Sequence, residues 1–190
     1  FKVKGEKNSL RFEVDSKNIP ARLVREMIFE ENKLIWSFRV ENLGNKEINF
    51  QHVIHPLMPI NSITGIKLPG YESVFDDINN GVLSLDGSHS LEEFLLSRPS
   101  GSTNMLFIRN IKMGEMSWDY VNKIRVVAKF SPDIFPSIGI WWNNGKYPDE
   151  DNCRRNECAL EPVPGLNSRL SDAIECGKAL KLSGGDVFKW

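Results

Sequence analysis

Two histidines lie three positions apart in "QHVIHPLMPI", residues 51 to 60, and the second is followed by proline. An imidazole changes charge near neutral pH, so His52 and His55 are the first residues to weigh for proton transfer. Neighbouring strand residues point to opposite faces, so in a regular strand these two cannot share a face. Pro56 has no N–H to give a ladder; the strand is therefore predicted to end at His55 and present that imidazole at a rim open to ligands. "ECALEP" repeats the design, with Glu161 ahead of Pro162. A carboxylate and an imidazole at neighbouring strand ends would supply a base and an acid to one pocket mouth. A metal site is not expected, because zinc wants three or four protein ligands and the remaining histidine, His89, sits in a polar loop. No cofactor is expected either.

The elements that would position these groups read as strands. "SLRFEV" and "KLIWSFRVEN" alternate apolar with polar residues, and "EENK" supplies a hairpin turn before the second. Asn42 to Asn45 form the next turn, and "EINFQHVIH" is predicted as one strand. "GVLSLDG", "MLFIRNIKMG", "MSWDYVNKIRVVAKF" and "SIGIWW" continue the series, with Gly, Asn, Asp or Pro in the gaps. One short helix is predicted, at "SLEEFLLS", residues 90 to 97, where a capping serine precedes helical apolar spacing. The result is an all-β class, a sandwich of antiparallel sheets, with no repeat or linker to divide residues 1–190 into more than one domain.

The run "VENLGNKEINFQHVIHP" is similar to the stretch of aldose 1-epimerases, the galactose mutarotases and their relatives, in which two strands lead to a histidine. "FPSIGIWWNNGKYP" with "ALEPVPGLNSRLSDAIECGKALKLSGGDVFKW" resembles the later part of that family, where a tryptophan strand precedes a glutamate. The resemblance covers roughly residues 10 to 190 and implies a supersandwich of large antiparallel sheets whose concave face holds a sugar. In the reaction it implies, Glu161 takes the proton from the anomeric hydroxyl while His55 protonates the ring oxygen; the ring opens, and closure on the other face gives the other anomer. The two groups are then expected in one cleft, a sugar ring's width apart. Leu57 and Met58 stand where such enzymes carry aromatic residues after the histidine.

For a sugar ligand, further contacts come from four other positions. Trp141 and Trp142 alternate faces, one for the core and one for a cleft where an indole can stack on a ring; Trp142 is assigned to the cleft. Asp77, beside Asp76, suits sugar hydroxyls, His52 can donate or accept beside His55, and Arg25 could reach an acidic group on the substrate, as could Arg22. The expected function is a sugar 1-epimerase, with a non-catalytic carbohydrate-binding or structural sandwich as the alternative. A glycoside hydrolase would need a carboxylate pair about 5 to 9.5 Å apart, and no second carboxylate recommends itself.

With 24 basic and 25 acidic side chains and no block of like charge, nothing here resembles a footprint for nucleic acid or anionic lipid, so neither partner is expected. No apolar stretch nears the ~20 residues of a membrane-spanning helix, and the start does not read as a signal peptide; the cytoplasm is the expected location. The absent initial methionine, and a last strand that stops at Trp190, suggest a piece of a longer protein. Cys153, Cys158 and Cys176 fit neither a disulfide framework nor a zinc pattern and are expected as reduced thiols, with a Cys153–Cys158 disulfide as the alternative.

Overall fold

The computed structural model describes residues 2–85, 87, 89–148, 150 and 152–190. In chain order its strands are β1 (Lys2–Glu6), β2 (Ser9–Asp15), β3 (Ala21–Glu30), β4 (Lys33–Asn42), β5 (Ile48–Phe50), β6 (Met58–Pro59), β7 (Ile63–Lys67), β8 (Ser73–Asp76) and β9 (Gly81–Val82). Helix α1 (Leu91–Leu96) follows, then β10 (Ser102–Arg109), β11 (Glu115–Tyr120), β12 (Arg125–Lys129), β13 (Ser137–Asn144), β14 (Asn156–Val163), helix α2 (Leu170–Glu175), β15 (Leu180–Leu182) and β16 (Val187–Lys189). The chain clusters into two compact units, residues 1–50 with 180–190, and residues 51–179.

In the first unit the sheet order is β1-β2-β3-β4-β16, and β5 pairs with β15. The β3–β4 hairpin closes over Glu31 and Asn32, with Glu30 opposite Lys33; Glu31 takes the positive φ of 44° that two-residue hairpin turns favour. Buried Asn42 ties the next turn together. Its amide nitrogen donates to the carbonyls of Lys46 and Leu182 at 2.7 and 3.0 Å, and its side-chain oxygen accepts from the Gly44 amide at 3.0 Å. Ala21, Val40, Phe50 and Leu182 form the core, with Phe188 and Trp190 packed against it.

The second unit is built on a six-stranded sheet of order β6-β14-β13-β10-β8-β9, with a three-stranded sheet of order β12-β11-β7. Alternation sorts the larger sheet into two faces. One carries Val74, Leu106, Ile108, Ile138, Ile140, Trp142, Cys158 and Leu160, which join Met116 and Trp118 of β11 and Leu91 and Leu95 of α1 in one core. Helix α1 starts where the sequence predicts: the Ser90 hydroxyl accepts from the Glu93 amide, and the Glu93 carboxylate accepts from the Ser90 amide. Among the described residues no helix is long and apolar enough to cross a membrane.

Three sequence expectations change. The strand predicted over "EINFQHVIH" stops at Phe50, and residues 51–57 lie outside regular structure. Pro56 cannot donate and pushes His55 out of the helical region, so the chain crosses to β6 without a ladder. The strand expected over "GVLSLDG" covers only Gly81 and Val82; Leu83 to Leu85 lie outside it, and Asp86 lies outside the described residues. Sequence patterning also points to a single helix, whereas α2 adds a second over "LSDAIE". That segment is one short turn of helix with only Ala173 buried, too little to produce a readable period.

Candidate active site

The face of the six-stranded sheet opposite the core is set out by register. Phe107 stands opposite Gly139 and Phe75, and Gly139 opposite Glu161, so these residues form one row across four strands. The next row is Ser73, Arg109, Ser137 and Val163; the row on the other side contains Met105, Trp141 and Ala159. Gly139 leaves room for the side chains that close over it. A Cβ there would lie 3.2 Å from the Phe107 ring, 3.3 Å from the Met105 methyl and 3.4 Å from Glu161 Oε2.

Glu161 sits inside β14 rather than at its end, and Pro162 is accommodated because β6 pairs with β14 only at Glu157 and Cys158, away from it. His55 Nδ1 is hydrogen-bonded to Glu161 Oε1. The carboxylate is 7% exposed and the imidazole 49%, so the carboxylate is the floor of the pair and the imidazole its solvent side. Burial raises the Glu161 pKa above the ordinary carboxyl value, and the charge and hydrogen bond of His55 act in the opposite direction. A shallow groove of about 320 Å³ is lined by Leu57, Met58, Pro59, Arg155, Asn156 and Glu157, not by His55 or Glu161.

His55 and Glu161 are thus brought together, though in contact rather than a ring's width apart. The expectation of a wide gap took the wrong distance: the anomeric hydroxyl and the ring oxygen are bonded to the same carbon, so groups serving them can be neighbours. Trp142 requires a correction. It is 2% exposed and belongs to the core; the tryptophan on Glu161's face is Trp141, whose ring meets Tyr147 edge to face at 5.6 Å. Alternation along β13 foretold that the two indoles part, but not which face holds the carboxylate. His52 is half-buried in the irregular segment leading to His55.

Asp77 is half-buried and accepts a hydrogen bond from the Ser168 hydroxyl at 3.3 Å. Its neighbour Asp76 is buried and caps its own turn, accepting from the amides of Ile78 and Asn79. Arg25 lies in β3 of the other unit, its guanidinium over the rings of Phe12 and Trp36 at 4.8 and 5.8 Å. Arg22 is bound to Asp15 at 2.7 Å. A groove of about 460 Å³ in that unit, among Arg11, Glu26, Ser37, Arg39 and Lys189, is larger than the one beside Met58 and holds no imidazole. Sequence reasoning passed over Arg109, Ser137, Phe75 and Phe107; their shared face follows from pairings between strands far apart in sequence, for which the chain carries no local signal.

No family model and no curated protein sequence matches the chain. Solved structures do match. The Slr1438 protein from Synechocystis sp. PCC 6803 is similar over 99% of this chain with a TM-score of 0.72 at 16% identity. A galactose mutarotase-like protein from Lactobacillus casei ATCC 334 is similar over 100% with a TM-score of 0.67 at 16% identity, and a galactose mutarotase related enzyme from Lactobacillus acidophilus over 100% with 0.63 at 16%. The chain spans 62% of the Slr1438 chain, under two thirds of its length, and 70% and 68% of the other two. The fold is galactose mutarotase-like: mostly antiparallel β-sheet, with two short helices.

Proposed function

We propose that this galactose mutarotase-like chain binds an aldose on the Glu161 face and exchanges its anomers, as a sugar 1-epimerase. The observation that carries the reading is the His55–Glu161 pair, a buried carboxylate joined to a half-exposed imidazole. A general base works best with a pKa drawn toward the working pH, and burial moves Glu161 in that direction.

The chemistry follows from the types. Ionised Glu161 takes the proton of the anomeric hydroxyl, and protonated His55 gives its proton to the ring oxygen as the bond from that oxygen to the anomeric carbon breaks. The open-chain aldehyde turns about its first carbon–carbon bond. Ring closure reverses both transfers: His55 takes back the proton from the ring hydroxyl, Glu161 returns its own to the carbonyl oxygen, and the pair is restored. The sugar's two oxygens replace the direct hydrogen bond with one contact each, so His55 must swing off Glu161 when substrate enters. Its irregular segment can move without breaking a ladder.

The test is polarimetry. Fresh α-glucose or α-galactose relaxes to its anomeric mixture, and Glu161→Gln and His55→Asn are each expected to lose about 10² to 10⁴-fold of the enzymatic rate. Wild-type relaxation at the buffer rate across a panel of hexoses and pentoses, with sugar still bound in calorimetry, would retire the enzyme in favour of a non-catalytic carbohydrate-binding module.

A further inference from the structure

Arg109 stands on Glu161's face, two residues along the strands and two strands over. That is a Cα displacement of roughly 7 Å in one direction and 10 Å in the other. It is unusually well fixed for an arginine. Its guanidinium carbon lies 4.1 Å from the centre of the Phe75 ring, and its Nε donates to the Leu166 carbonyl at 2.9 Å. Its two terminal nitrogens have no hydrogen-bond or ion-pair partner among the described residues. Directly across the ladder is Ser137, fully buried, whose hydroxyl has no hydrogen-bond partner among the described residues. Asp77 is close enough to favour the charged guanidinium but makes no ion pair with it; one of its carboxylate oxygens accepts from the Ser168 hydroxyl at 3.3 Å.

We infer that Arg109 is a specificity-determining residue of this site, and that the sugar it selects carries an oxyanion, a carboxylate or a phosphate group. The inference rests on the Glu161 face being a sugar site. Stacking and the Leu166 carbonyl hold one face and one edge of the guanidinium, which leaves its terminal N–H groups as a preset fork. A planar fork matches the paired oxygens of a carboxylate or phosphate, with less ordering cost than a free side chain would incur. Burial disfavours the charge, and a bound oxyanion would recover that loss better than a hydroxyl. Ser137 adds a donor that water or ligand must otherwise satisfy. The reacting end of the sugar then lies at Glu161 and its acidic substituent toward Arg109.

Calorimetry of the intact protein with glucose, glucuronate and glucose 6-phosphate tests this. Wild type is expected to bind one of the acidic sugars at least about tenfold more tightly than glucose. Which of the two wins identifies the oxyanion. Arg109→Gln is expected to bring that affinity down to the glucose level while leaving glucose nearly unchanged. Arg109→Lys keeps charge without the fork and should retain only part of the preference; it carries the test if the glutamine variant does not fold. Equal affinity for neutral and acidic sugars in wild type, or a preference that survives in both folded variants, would overturn the inference. Polarimetry run in parallel separates the two claims: an acidic preference lost in Arg109→Gln, with no anomer exchange in wild type, supports Arg109 and removes the epimerase.

Discussion

Glu161 is where a single side chain sets a measurable property. Its folded pKa is raised, so the fold favours the protonated carboxyl. The stability this brings is present below the ordinary carboxyl pKa, about 4.3, and is lost as pH rises through the raised value. Glutamine cannot titrate. Urea unfolding from pH 4 to pH 8 should therefore show wild type losing stability relative to Glu161→Gln as pH climbs. His55→Asn removes the groups that oppose the shift, so it should lose more than wild type over the same range. A stability difference that stays flat with pH would contradict the burial of this carboxylate. At this scale the sequence was partly legible: the types of His55 and Glu161 marked them for pairing, but their prolines do not mark strand ends. Trp142 was not legible, because alternation separates two neighbours without saying which face is the core.

At the scale of elements, the strands whose own residues alternate were the ones visible in the sequence. β2, β4, β11, β12 and β13 fall where period two places them. The failures are short or irregular pieces: residues 51–57, the two-residue β9, and α2. Asn42 shows how a turn residue can hold distant pieces, since its amide reaches from the end of β4 to the carbonyl of Leu182 in β15, a contact 140 residues away in sequence. Asn42→Ala would leave buried backbone groups without partners and is expected to cost roughly 1–3 kcal/mol in urea unfolding. A change within about 0.5 kcal/mol, the range of ordinary surface substitutions, would show that water or rearrangement replaces those bonds.

For the molecule as a whole, the thiols report the core of the second unit. Cys158 is fully buried on the apolar face, and burial with the nearby Glu157 charge pushes its pKa up to about 12. Cys153 and Cys176 are exposed, and all three are free, so the Cys153–Cys158 disulfide is not formed. A thiolate-seeking reagent at pH 8 should react rapidly with two thiols in the native protein and with the third only as denaturant opens the second unit. Rapid reaction of all three without denaturant would mean that the six-stranded sheet does not hold its core face closed.

Residue types and local period decided much about this protein by themselves: antiparallel strands, the start of α1, the hairpin turns, and an imidazole and a carboxylate fit for proton transfer. Those properties depend on side-chain chemistry and on neighbours within a few positions, where the chain is its own context. Tertiary structure alone decided that Glu161 lies under His55, that Gly139 gives way to the Phe107 ring, the Met105 methyl and Glu161, and that Arg109 and Ser137 share their face. Each of these depends on register between strands separated by tens of residues. A one-residue slip would send every side chain of a strand to the other face, so the site exists only once the sheet has been assembled.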